Sequence, residues 1–384
     1  NLMTKLNVLE IIRWVRAQAV FDRTQIVLGG PDVTHNVDDY LTTGTDVVVL
    51  GEGEQTMLEL VTGVEPAAGG RESLSAFSEG HLHWTTIAGI AFRLSDGTTH
   101  RTAPREKIRD LDTLPFPNRL KINLQNYLDA WKQVHGHSAI SISTQRGCPY
   151  TCKWCSTAVY GQSYRRRSPE HVVDEIIWLQ KNYAFDLIWF VDDVFTISHK
   201  WLQGFCEALE SRSVQVQFEC ITRADRMNTA VIEMLRQAGC FRVWIGAESG
   251  SQRIIDAMDR RVEVEQVQEM IQSAQKSGIQ AGTFIMLGYP GETEVDIRAT
   301  VAHLKASNPD LFTITVAYPI KGTGLYNEVE ARQTLELPWA SSTDRDRDFQ
   351  RTYPRRYYDY AVRWTVNEVH FHKTKLAGQV WSWR

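Results

Sequence analysis

Three cysteines stand close together in Cys148-Pro149-Tyr150-Thr151-Cys152-Lys153-Trp154-Cys155, a C-x3-C-x2-C spacing. The preceding Ser141-Ile142-Ser143-Thr144-Gln145-Arg146-Gly147 alternates apolar and polar residues and ends at a glycine. That pattern reads as a strand delivering the cysteines to a loop at its C-terminal end. Three thiolates on a short loop could hold three irons of a cubane [4Fe–4S] cluster and leave the fourth iron open, whereas a fully ligated cluster only passes electrons. Zinc is the competing reading, but it wants a fourth Cys or His, and the closest histidine downstream, His171, falls in a predicted helix. A chance grouping of thiols is the third.

Polar residues recur where apolar runs stop. Asp192 and Asp193 follow Phe190-Val191, and paired acids after an apolar strand are costly to bury unless they bind something or ionise usefully. Ser198 already supplies a cap for the next helix, so Asp192 and Asp193 are catalytic candidates that would touch substrate. Arg223, in Thr222-Arg223-Ala224-Asp225, could pair bidentately with a carboxylate. Glu248 sits in Gly246-Ala247-Glu248-Ser249-Gly250, and Gly288 opens Gly288-Tyr289-Pro290-Gly291-Glu292, where backbone could approach a ligand closely. Tyr318, in Val316-Ala317-Tyr318-Pro319, offers a ring to flank one. Of Arg165, Arg166 and Arg167, one is expected to serve a ligand carboxylate and the others to coat the surface; Ser168 and Pro169 start the next helix.

The elements that must position these residues alternate regularly. Strands are predicted at 138–144, 186–191, 214–221, 241–246, 280–287 and 311–317. Helices are predicted at 169–183, 198–212, 228–238, 251–258, 263–277 and 293–306. Six βα units predict an α/β fold, a partial (β/α)6 TIM-like barrel, in which function gathers at the C-terminal strand ends. Upstream, a helix over 7–20, strands at 25–28 and 46–50, a short helix at 37–41 and another at 55–62 read as half of an open Rossmann-like sheet. The expected divisions are a partial Rossmann-like domain over 1–62, a linker with a β-hairpin turning at Asp96-Gly97 over 63–135, the barrel over 136–326, and an extension over 327–384. In that extension 344–356 reads as a charged loop and 357–376 as a helix. The chain opens at Asn1 in what reads as the middle of a domain, so an N-terminal piece is expected to be missing.

At 384 residues, 43% hydrophobic and 23% charged, the composition is that of an ordinary globular protein. A net charge of −4 and no basic tail argue against a nucleic-acid partner, and no apolar run is long enough to span a membrane. Six cysteines, three spent on one loop, form no disulfide framework; Cys206, Cys220 and Cys240 read as isolated core thiols, and a reducing cytoplasm suits the chain.

The cysteine spacing, with aromatic Trp154 before the last cysteine, resembles the signature of the radical S-adenosylmethionine (SAM) superfamily, and the resemblance runs over roughly residues 136–326. It implies that Cys148, Cys152 and Cys155 hold a [4Fe–4S] cluster whose open iron is chelated by SAM. One electron from a flavodoxin- or ferredoxin-type donor would then yield a 5'-deoxyadenosyl radical that takes hydrogen from substrate. It further implies that Trp154, Arg223, Glu248, Arg260, Gly288 and Tyr318 surround the cofactor. Gly29-Gly30-Pro31 and Gly51-Glu52-Gly53-Glu54 resemble the second half of a cobalamin-binding domain, although tight strand-to-helix turns explain both equally well. The family's Asp-x-His-x-x-Gly cobalt-ligand motif is absent, and His35 reads as a surface-loop residue. The expected outcome is therefore a small natural-product substrate, sugar-like in one form, undergoing cobalamin-independent dehydration or epimerisation, in a chain that binds no cobalamin. Cobalamin-dependent C-methylation, a non-catalytic electron carrier and, lowest, transfer-RNA methylthiolation are the alternatives.

Overall fold

The computed structural model describes residues 4–62, 84–156, 161–335 and 337–376, which fall into two compact units. The first comprises Asn1–Arg109, Trp154–Gly161 and Tyr318–Phe349; the second comprises Asp110–Lys153, Gln162–Ala317 and Gln350–Arg384.

In the first unit α1 (Lys5–Arg16) precedes β1 (Val27–Leu28), α2 (Pro31–His35), α3 (Val37–Thr42), β2 (Val47–Val49) and α4 (Glu54–Thr62). β3 (Ile90–Arg93) and β4 (Thr99–Arg101) follow. β1 and β2 are parallel, as the pattern implies, but the hairpin is no free-standing part of a linker. β3 adds antiparallel to β2, and β4 to β3. The reason is apolar: Ile90, Ala91 and Phe92 are all buried, so β3 needs cover on both faces. Leu9, Ile12, Val33, Val37 and Tyr40 pack one side of this sheet, and Leu60, Trp84 and Ile87 the other. The hairpin turns at Asp96-Gly97 as expected, with the Thr98 N–H donating to Asp96 Oδ1 at 2.8 Å. His35 is not a loop residue. It ends α2 half-buried, and its ring fills the space beside Gly322.

The second unit holds the barrel. α5 (Leu124–His135), unanticipated by the sequence reading, leads into β5 (Ala139–Ile142), β6 (Gln145–Arg146) and β7 (Arg165–Arg166). Then come α6 (Pro169–Asn182), β8 (Leu187–Phe190), α7 (His199–Ser211), β9 (Phe218–Thr222), α8 (Thr229–Gln237) and β10 (Cys240–Glu248). α9 (Gln252–Ala257), α10 (Val264–Lys276), β11 (Gln280–Leu287), α11 (Glu294–Ser307), β12 (Leu311–Val316) and α12 (Arg355–Leu376) complete it.

The six-stranded sheet runs β12-β11-β10-β9-β8-β5, every pair parallel. Each strand sits beside its predecessor in sequence, so the crossovers all travel one way and the sheet curls into a partial (β/α)6 barrel. Alternate residues divide the two faces. Ile140, Ile188, Phe190, Phe218, Val243, Ile245 and Ile285 enter one core under the helices, and Tyr358, Ala361 and Val369 of α12 join it. The intervening positions, among them Trp189, Glu219, Ile221, Arg242, Trp244 and Phe284, share the opposite face, which lines the lumen.

Among the described residues no helix is long and apolar enough to cross a membrane. Cys206, Cys220 and Cys240 are free thiols in or against the core, but Cys220 and Cys240 interact with one another and are not isolated.

Candidate active site

The cysteine loop leaves the barrel between the two strands of a short ribbon, β6 paired antiparallel to β7. Two polar residues per strand leave no periodic signal, and the sequence reading missed it. Gly147 makes the turn at φ +79°, and a Cβ there would sit 2.4 Å from the Ser163 carbonyl oxygen, so only glycine fits.

Asp192 ties this loop down. Its carboxylate accepts the backbone N–H groups of Thr144 at 2.7 Å and Gln145 at 3.1 Å, and the Thr144 hydroxyl as well. Arg166 lies 3.6 Å away as counter-charge, its guanidinium 3.4 Å above the Trp201 ring and donating to the Phe195 carbonyl at 2.7 Å. Burial pushes the Asp192 carboxyl up, against the pull of Arg166 and Thr144. Asp192 therefore holds the strand end and has no face left for a substrate, which corrects half of the paired-acid expectation. Arg166 belongs to the same buried lattice. Arg167 is likewise engaged, donating to Glu175 Oε2 at 2.5 Å and to the Ser143 carbonyl at 3.2 Å.

Asp193 is different. It stands exposed at the end of β8 and makes no hydrogen bond or ion pair with the described residues. Surrounding protein, and then the Asp192 charge, push its pKa up. Its charge acts on Cys148, whose thiol is pushed up first by burial and then by Asp193 and Cys152.

Cys152 has the opposite neighbours. Arg223 Nη1 lies 3.6 Å and Arg260 Nη1 3.7 Å from its sulfur. Arg223 is 2% exposed. Its Nε donates to Asp225 at 2.8 Å, its Nη2 to the Arg260 carbonyl at 2.7 Å, and its guanidinium covers the Tyr150 ring at 3.8 Å. Arg260 Nη2 donates to the Gly246 carbonyl at 2.8 Å and stands 3.7 Å from Glu248 Oε1, while its buried Nε is unpartnered. Glu248 adopts φ +65°, a conformation that is strained for a non-glycine residue and here aims its buried carboxylate along the strand end. Burial raises its pKa, and Arg260 and Arg223 oppose the rise.

A turn that sequence reasoning valued only for Arg260 also grips the cysteine loop. The Thr151 hydroxyl donates to Asp259, and the Lys153 N–H donates to the Met258 carbonyl at 3.0 Å. Asp259 and Arg261, both at positive φ, mark the turn, but no residue-type pattern announces it. Tyr150, whose hydroxyl accepts from Arg226 Nε, completes the clamp.

Gly288 turns at φ +80°; its N–H donates to Glu292 and its carbonyl accepts from Arg351 Nε at 3.1 Å. Arg351 also donates to the Ala317 carbonyl at 2.5 Å, joining the ends of β11 and β12. Trp154, Cys155 and Tyr318 fall in the first unit. There Arg345 lies 5.8 Å over the Tyr318 ring, and the indole N–H of Trp154 is buried without a partner among the described residues. Cys155 follows Cys152 by three residues in the chain.

Among the described residues no three Cys, His, Asp or Glu side chains converge on a single point as one metal ion needs. A cubane asks for something else, since each thiolate meets a different iron, and free thiols on a glycine-turned loop with guanidinium donors at one sulfur suit that group. An open groove of about 1150 Å³ lies at the other, N-terminal strand ends, beside Phe185, Gly239 and Phe241. Two of its charged groups are engaged within the protein, Asp186 with Ser138 and Lys132, and Arg236 with Glu233.

The radical SAM superfamily profile matches residues 142–304. An uncharacterised methyltransferase of Pyrococcus horikoshii is 28% identical over 335 residues, 86% of this chain and 68% of the relative. The anaerobic magnesium-protoporphyrin IX monomethyl ester cyclase of Rubrivivax gelatinosus is 30% identical over 287 residues, 74% of this chain and 49% of the relative. This chain thus spans only about half to two thirds of the length of these curated relatives. In fold it is similar to the radical SAM methyltransferase TsrM of Kitasatospora setae, with a TM-score of 0.72 at 17% identity over 96% of this chain and 74% of that one. TsrM is also known with cobalamin and a [4Fe–4S] cluster bound.

Proposed function

We propose that this chain, a member of the radical SAM superfamily through residues 142–304, is a cobalamin-dependent methyltransferase acting on a small molecule. The observation that carries the SAM chemistry is the pairing of Cys152 with two buried guanidinium groups beside Glu248 at the lumen mouth. The likeness to the archaeal methyltransferase over most of this chain supports methyl transfer over dehydration or epimerisation.

The cluster and SAM, when bound, would supply a carbon radical able to abstract hydrogen from an unactivated position. Cys148, Cys152 and Cys155 would hold the cluster. Glu248 and the unpartnered Nε of Arg260 would meet the polar end of SAM, while Gly288 lets backbone lie close to its adenosine. Asp193, with no partner among the described residues, would face the substrate as a proton acceptor or an anchor. Trp189, Ile221, Trp244 and Phe284 give the substrate an apolar wall and exclude water. A flavodoxin or ferredoxin would deliver electrons, in the cytoplasm.

For cobalamin, the first unit offers open space at two glycine turns. A Cβ on Gly30 or Gly51, at the ends of β1 and β2, would meet nothing within 4 Å. Those turns fit a ligand lying across the strand ends, while His35, packed beside Gly322, is not placed as a cobalt ligand. The similarity to a methyltransferase and the fold shared with TsrM support the cobalamin-dependent alternative over the cobalamin-free outcome that the missing cobalt-ligand motif suggested.

The test is anaerobic reconstitution of the chain with iron, sulfide and hydroxocobalamin, then desalting and incubation with SAM and reductant. Retained corrin absorbance with S-adenosylhomocysteine formed beside 5'-deoxyadenosine is the expected result. 5'-Deoxyadenosine alone, with no retained corrin, would remove methyl transfer and leave hydrogen abstraction. Cys152→Ala should abolish both products and iron uptake together.

A further inference from the structure

We infer that Arg223 and Arg260, by donating together to the one sulfur of Cys152, set the reduction potential of the cluster carried on the cysteine loop. The inference rests on the radical SAM reading above and assigns both arginines a role beyond orienting SAM.

Neither guanidinium is free to swing away. Arg223 is fixed at Asp225, at the Arg260 carbonyl and on the Tyr150 ring, and Arg260 at the Gly246 carbonyl. Both are almost fully buried, at 2% and 7% exposure. As a residue type at a strand end Arg223 suggests a carboxylate partner, but its three guanidinium nitrogens already donate within the protein, the third of them to sulfur. What remains constant in this arrangement is two positive charges directed at one thiolate.

Reduction adds one electron, drawn from an external low-potential donor, to a cluster whose thiolates already make it anionic. Hydrogen bonds to cluster sulfurs and nearby positive charge favour the reduced state and raise the potential. Burial strengthens the effect because water screens it less.

The full chain, reconstituted anaerobically and without SAM, would be titrated with dithionite while the reduced cluster is followed by electron paramagnetic resonance. Arg260→Met and Arg223→Met are each expected to shift the midpoint to more negative potential, and the double variant further than either. Iron content and thermal unfolding are measured beside each titration. If a Met variant fails to take up iron, Arg260→Lys, which keeps the charge on a shorter donor, is expected to give a smaller negative shift. Fully loaded variants with an unmoved midpoint would overturn the inference and leave the radical SAM reading standing. A wild-type chain that takes up no iron would overturn both.

Discussion

The Asp192 carboxylate accepts the Thr144 backbone N–H at 2.7 Å and so joins the end of β8 to the segment that leads into the cysteine loop. Arg166, with 3% of its side chain exposed, has this carboxylate as its counter-charge. Asp192→Ala would leave a buried cation alone, a change that costs roughly 3–5 kcal/mol. Urea unfolding should show a loss of that size, with Asp192→Asn less affected because its amide oxygen still accepts an N–H. A loss under about 1 kcal/mol for the Ala variant would refute the anchoring role.

Glu248 holds φ +65°, which costs of order 1–3 kcal/mol for a side-chain-bearing residue. Glu248→Gly should therefore keep or raise thermal stability while losing the carboxylate beside Arg260. Glu248→Gln should weaken SAM binding with the cluster intact, because a hydrogen bond to a charged group is worth about 1.5–3 kcal/mol, or roughly 10- to 150-fold in affinity. Calorimetric titration with SAM checks both variants. Unchanged SAM affinity in the Gln variant would make Glu248 structural only.

The barrel was legible because strands buried in a parallel sheet read as apolar runs, and Leu187–Phe190 or Gln280–Leu287 could be bounded within a residue or two. α5 was passed over although Leu124, Tyr127, Leu128 and Trp131 follow helical spacing behind the Asn123 cap, so its signal was present in the sequence. The cysteine loop was legible from residue type and spacing alone. The division of labour between Asp192 and Asp193 was not, since two adjacent acids look alike until one is seen accepting backbone N–H groups from residues almost fifty positions earlier. Arg223 likewise showed its type in the sequence but not that its donors were already committed.

Two buried groups should shape the pH dependence of stability. Burial pushes Glu292 up to about 8 from 4.5 and His303 down to about 4 from 6.5. Between pH 4.5 and 8 the native state keeps a Glu292 proton that the unfolded chain has lost, so stability falls as pH rises through that window. Between pH 6.5 and 4 the unfolded chain holds a His303 proton that the native state lacks, so stability falls as pH drops. The two trends cancel from about 4.5 to 6.5, leaving a broad maximum there. Glu292→Gln should flatten the alkaline limb, worth on the order of 2 kcal/mol between pH 6.5 and 8. His303→Gln should flatten the acid limb. Unfolding free energies across pH 4–9 decide it, and an alkaline limb that persists in Glu292→Gln would assign the effect elsewhere.

The floor of the lumen depends on one missing side chain. The Trp244 ring lies across Gly282, where a Cβ would sit 2.5 Å from Cε3. The ring is stacked on Phe284 at 5.0 Å, and its Nε1 donates to Glu219 Oε2 at 3.0 Å. Glu219 in turn accepts from Arg242 at 3.1 Å, so the indole is fixed to a polar row across β9 and β10. Gly282→Ala must displace the ring and break that bond, at about 1–3 kcal/mol for the overpacking. Trp244→Phe removes the N–H together with Cε3 and Cζ3, two of the three atoms a new methyl would strike. The double variant should therefore be more stable than the sum of the two single losses implies, with a coupling of roughly 0.5–3 kcal/mol. Denaturant unfolding of the four proteins in the cycle measures that coupling. Strict additivity would mean that the ring does not depend on Gly282, and that the lumen wall is set by some other contact.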